Sequence, residues 1–105
     1  MKKNEIRVIV KKPQDRTGAV RTIPNTLEAL QKLVGGMIEV VGMGDFLIIC
    51  NEEGRLLGFS ENIWPDGLLV PIVGPIVVVG RDGEEFTDCP LTFGQWMHIV
   101  QEWRE

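Results

Sequence analysis

Tyrosine is absent from this chain of 105 residues, histidine occurs once and cysteine twice. The lone His98 excludes a zinc cluster built on imidazoles, and Cys50 and Cys89 stand too far apart for a knuckle motif. Two cysteines make no disulfide framework. No apolar leader follows Met1-Lys2-Lys3, because Arg7 and Lys11 interrupt the run, so no signal peptide is read. A cytoplasmic setting with both thiols reduced is the expectation. Cys50 ends an apolar run and reads as a packing residue, as free cysteines commonly are.

Long hydrophobic runs are missing too. The most apolar window, Leu68 to Val79, is too short to span a bilayer and carries Pro71 and Pro75, so no membrane partner is expected. Charge of one sign is also lacking. The net charge of -4 is spread over interspersed acids and bases, which leaves no electrostatic footprint for nucleic acid. The stretch from Lys2 to Arg21 is basic, yet no aromatic residue precedes Phe46 to stack on bases. Nucleic acid is therefore not the expected partner.

Neither Gly-x-Gly-x-x-Gly nor Gly-x-Ser-x-Gly occurs, and Gly35-Gly36 stops a helix rather than starting one. Asp82-Gly83-Glu84 lacks the alternating oxygen ligands of a calcium loop. No metal, cofactor or catalytic residue is assigned. His98 projects with Gln95 and Glu102 on the polar side of its helix, as a solvated residue would.

What is present is patterning. The 44% hydrophobic content suffices for a real core, and a single domain spanning 1–105 should bury roughly two-thirds of its extended-chain surface. Ile6, Val8 and Val10 alternate with Arg7 and Lys11, which predicts a strand; Ala19 to Ile23 returns as its hairpin partner near a sheet edge. Asn25 is placed to cap a helix over Leu27 to Val34, with Glu28 reaching back, and Gly35 stops it. Met37–Val41 and Phe46–Cys50 form a second hairpin. Asn51-Glu52-Glu53-Gly54 turns into a return strand, Arg55 to Phe59, with Gly54 available for positive φ.

Ser60 to Pro75 is irregular, with Leu68-Leu69-Val70 as a short strand. Ile76–Val79 is a buried strand that turns at Gly80–Gly83. Thr92 and Gln95 make a capping box for a last helix, whose apolar face is Phe93, Trp96, Met97, Val100 and Trp103. Strands outnumber helices without βαβ alternation. The class is α+β, a mostly antiparallel sheet built from hairpins with two amphipathic helices packed on it, both on one face.

The candidate site is the turn. A turn needs its glycine and tolerates Asn51, but it does not demand Glu52, Glu53 and Arg55 together. Asn62 and Trp64 follow in the irregular stretch. Trp64 reads either as an exposed partner anchor or as a cap tucked over an open end of the core, and loop chemistry favours the cap.

Ile6 to Val10, Thr26 to Val41, Ile49 to Gly58 and Gly74 to Gly80 together resemble domain-of-unknown-function family 3846. Its most specific part is the Asn-Glu-Glu-Gly-basic-Leu turn. The family pattern continues with an Asn-Arg pair; Asn62 is present, and Ile63 stands where the arginine would be. The resemblance implies a small protein of bacteria, phages and mobile elements with no established activity. The leading expectation is a non-enzymatic protein-interaction module with a protein partner, binding through Asn51, Glu52, Glu53, Arg55, Asn62 and Trp64. A small hydrolase or nucleotide-binding protein using Asn51, Glu52 and Glu61 is one alternative. A nucleic-acid-binding accessory protein is another, and an edge strand leaves a homo-oligomer open.

Overall fold

The computed structural model describes residues 3–104. Its strands are β1 (Glu5–Lys11), β2 (Ala19–Pro24), β3 (Ile38–Gly42), β4 (Leu47–Asn51), β5 (Glu61–Ile63), β6 (Ile72–Val73), β7 (Ile76–Asp82) and β8 (Glu85–Thr87). The helices are α1 (Leu27–Val34) and α2 (Phe93–Trp103). The main sheet runs β2-β1-β7-β4-β3, with β8 on β7, while β5 and β6 pair separately; every pairing is antiparallel. The fold is α+β.

The centre of the sheet follows from its side chains. Ile76, Val77, Val78 and Val79 are all fully buried on β7, between β1 and β4. β-branched side chains fit a pleated surface, and each one buried contributes about 1.5–3 kcal/mol. Because successive side chains point to opposite faces, four buried neighbours require cover on both sides.

That requirement moves one helix. Leu30 and Val34 of α1 pack with Ile6, Val8, Leu47, Ile49 and Val77 on one face. Trp96 and Val100 of α2 pack with Ile9, Ile48, Ile76 and Val78 on the other. The two helices thus lie on opposite faces, not on one. On the α2 side Trp96 meets Phe46 and Trp103 edge to face, at 6.4 and 5.9 Å between ring centroids. Thr92 and Gln95 form the capping box, and Leu91 and Phe93 are half-buried beside it. Met97 is exposed, and Ile99 packs inward instead.

Other expectations shift by local competition. The cap of α1 is Thr26, whose Oγ1 accepts from the Ala29 N–H at 3.1 Å. Asn25 is unavailable because its buried amide donates to the Phe86 carbonyl at 3.1 Å. Gly35 closes α1 at φ 83°, as its pattern predicts. The β7 strand runs past Gly80 to Asp82 because β8 pairs with it there, so the turn falls at Gly83 and Glu84.

Arg55 to Phe59 is no strand. The Leu57 N–H donates to Glu53 O at 2.9 Å and the Phe59 N–H to Gly54 O at 2.9 Å, so the segment coils into successive turns. Leu56 is 86% exposed and has no sheet to join. Gly58 takes the positive φ of 75° that ends these turns. Gly54 does not; there a Cβ would come within 2.9 Å of Val73 Cγ2, so that site needs a small residue for packing. Leu68–Val70 is likewise irregular, between β5 and β6.

Candidate functional site

Lys11 shows how far charge alternation misleads. It reads as an outward residue of β1, yet it is fully buried. Its Nζ donates to Asn62 Oδ1 at 2.6 Å and reaches the Lys12 carbonyl at 3.5 Å. Burial lowers its pKa, the nearby Arg104 charge lowers it further, and Asp15 opposes both. Asn62 returns one bond to the same strand, donating to the Lys11 carbonyl at 2.8 Å, and gives another to the Gly74 carbonyl between β6 and β7, also at 2.8 Å. Both side-chain polar atoms of Asn62 are therefore engaged, fastening the β5 segment to β1 and to the β6–β7 link. Arg7 is similarly occupied by the Cys89 and Leu91 carbonyls at 3.2 and 2.9 Å.

Asn51 is equally committed. It is buried at the end of β4, where its Nδ2 donates to Val34 O at 3.1 Å, satisfying a carbonyl at the end of α1. Its Oδ1 accepts from the Glu53 N–H at 2.7 Å, and its carbonyl accepts from Gly54. One amide thus ties α1, β4 and the turn together. Held this way, Glu52 and Glu53 are presented to solvent beside Arg55, whose Nη2 donates to Pro71 O at 2.6 Å.

These residues line a groove of about 710 Å³. One wall is the turn from Asn51 to Leu56; the other is Leu68–Val70 with Ile72 and Val73; the floor is Cys50 with β3 from Glu39 to Gly42. Leu56 and Leu69 are 86% and 94% exposed on its rims, and Val40 and Val70 are also exposed. Burial pushes the Cys50 thiol up to about 11, helped by the Glu39 carboxylate and opposed by Arg55. The floor thiol is therefore protonated and unreactive at neutral pH.

Asn51, Glu52, Glu53 and Arg55 come together in this groove, whereas Asn62 and Trp64 are not among its lining residues. Trp64 is no core cap. It is 48% exposed, and its Nε1–H donates to Leu68 O at 2.9 Å, bracing the loop that carries the groove's second wall. Sequence reasoning missed Glu39, Val40, Leu69 and Val70. Their signal was an apolar triplet in a proline-flanked segment and a strand without charge at its end.

Among the described residues, no group of three or more His, Cys, Asp or Glu side chains is placed to hold a metal ion. Glu61, the third residue of the hydrolase alternative, does not line the groove. No helix is long and apolar enough to cross a membrane.

The fold and groove define a small α+β protein whose sheet leaves a lipped edge open among the described residues. Residues 6–101 match the family described as Domain of unknown function (DUF3846), and the chain belongs to that family. It matches none of the curated proteins and none of the solved structures.

Proposed function

We propose that the protein is an interaction module of the cytoplasm that binds another protein through the groove between the Asn51–Leu56 turn and Leu68–Val70. The observation that carries this reading is the exposure of Leu56 and Leu69, at 86% and 94%, both lining one concavity. Apolar side chains gathered around a depression characterise binding surfaces more than scattered exposure does. Glu52 and Glu53, which make no ion pair among the described residues, line the same groove. A hydrolase role is less well supported, since the Asn51 amide is engaged on both its polar atoms. A nucleic-acid role is less well supported as well, since Arg7 and Lys11 of the N-terminal hairpin are engaged by the Cys89 carbonyl and by Asn62.

The phage or mobile-element setting that the resemblance implies is where the partner should be sought. A photo-crosslinking residue replacing Leu69, expressed in a native host, should give a discrete protein adduct. The same residue at Lys32, on α1, should not. Adducts at Lys32 alone would overturn the assignment. A rise in melting temperature with nucleotides, in the absence of any adduct, would favour the nucleotide-binding reading instead.

A further inference from the structure

The groove follows the free edge of β3, so its occupant is constrained by backbone as well as side chains; this inference rests on the groove being the interaction site. Met37 O accepts from the Glu52 N–H at 2.8 Å, and the Met43 N–H donates to Phe46 O at 2.9 Å. With Ile38 opposite Asn51 and Val40 opposite Ile49, these bonds place the β3–β4 ladder on the odd-numbered residues of β3. The N–H and C=O groups of Ile38, Val40 and Gly42 therefore point away from β4. β3 is the last strand of the sheet, and no strand pairs with it on that side among the described residues.

We infer that the groove takes an extended segment of a partner protein, rich in basic and apolar side chains, which adds to the sheet as a strand beside β3. Unpaired main-chain groups in a row are a template for strand addition, with alternate side chains read by flanking pockets. Apolar side chains of such a strand would meet Val41, Leu68 and Leu69. Its charge follows from the groove lining. Glu39, Glu52 and Glu53 make no ion pair among the described residues, and the one guanidinium, Arg55, is turned onto Pro71 O. A basic segment answers three carboxylates; an acidic one is repelled. A second copy of this chain fits less well, because β3 paired with itself would bring two sets of those carboxylates to one seam.

The other edge does not offer the same template. The Asn25 N–H donates to Asn4 O, which by the β1–β2 register turns the groups of Val20, Thr22 and Pro24 outward. Pro24 has no N–H to give, a common way of blunting an edge.

The probe is a displayed library of random linear octapeptides selected on the intact protein. Enrichment of Lys and Arg among apolar residues is expected. The best peptide, resynthesised, should slow amide exchange at Ile38, Val40 and Gly42 and leave β2 unchanged. Methylating its backbone nitrogens on one alternate set should weaken binding about tenfold or more, a test that leaves the protein untouched. Val40→Pro should do the same, since it removes an outward N–H and no ladder bond. Acidic or absent enrichment overturns the inference, as does protection of β2. Binding that Leu69→Glu abolishes but N-methylation spares would keep the interaction site and refute strand addition. A concentration-dependent dimer dissolved by Val40→Pro would give the edge to a second copy and refute the partner.

Discussion

The two edges of the sheet have opposite characters although both are hairpin strands of similar length. β2 is exposed at five of its six positions and ends in a proline. β3 is flanked by a groove, carries Val40 at its middle and has no proline. The β2 edge bears Arg21, whereas the β3 edge bears Glu39 with Glu52 and Glu53 close by. One edge is finished and the other is left available. The lesson is that an edge is defined by which backbone groups face outward and what walls stand beside it, not by hydrophobicity alone.

The contrast breaks most violently at the ladder itself. Val41→Pro removes a β3–β4 hydrogen bond and should cost about 3 kcal/mol in urea unfolding, whereas Val40→Pro, one residue away, should cost under about 1 kcal/mol. Equal losses would refute the alternation that turns Val40 outward. Next come the anchors behind each edge. Asn51→Ala leaves Val34 O and the Glu53 N–H unanswered and should cost about 2 kcal/mol; Asn25→Ala, behind β2, loses one side-chain bond and should cost about 1 kcal/mol. Chemical denaturation of the two variants decides the order.

The thiol under the β3 edge gives a smaller, pH-dependent signature. Between 9.0 and about 11 the unfolded chain has released the Cys50 proton while the folded chain retains it. Stability should therefore fall as pH rises through that window, and Cys50→Ala should flatten the fall. At pH 8 the Cys50 thiol stays protonated, so iodoacetamide should label it far more slowly than free cysteine. Smallest of all, Leu56→Ser and Leu69→Ser should shift stability by less than about 0.5 kcal/mol while removing groove binding. A large loss of stability in either would mean the rim leucines support the fold.

Much of this architecture was legible in the chain. Thr92 and Gln95 announced α2, Gly35 announced the end of α1, and the β-branched run from Ile76 announced the central strand, because each signal is local. The faces were not legible. Periodicity tells which side of a helix is apolar, but not which side of a two-faced sheet it covers. Arg55–Phe59 misled because Leu56 and Leu57 look like strand residues until their exposure is known. Lys11 misled because its partner, Asn62, is 51 residues away. At the candidate site, the turn's surplus of charge is legible in the chain, and its residues line one wall of the groove. The opposite wall, Leu68–Val70, is joined to it only through tertiary packing.

Trp64 and Trp96 are optically unlike. Trp96 is fully buried against Phe46 and Trp103, and Trp64 is half open to solvent on the loop that forms the groove's second wall. Acrylamide should quench Trp64 well before Trp96, and a shift of the Leu68 loop that Trp64 braces would change the outer indole's exposure. The protein thus carries an intrinsic fluorescent reporter on the loop that forms the groove's second wall, readable without a label.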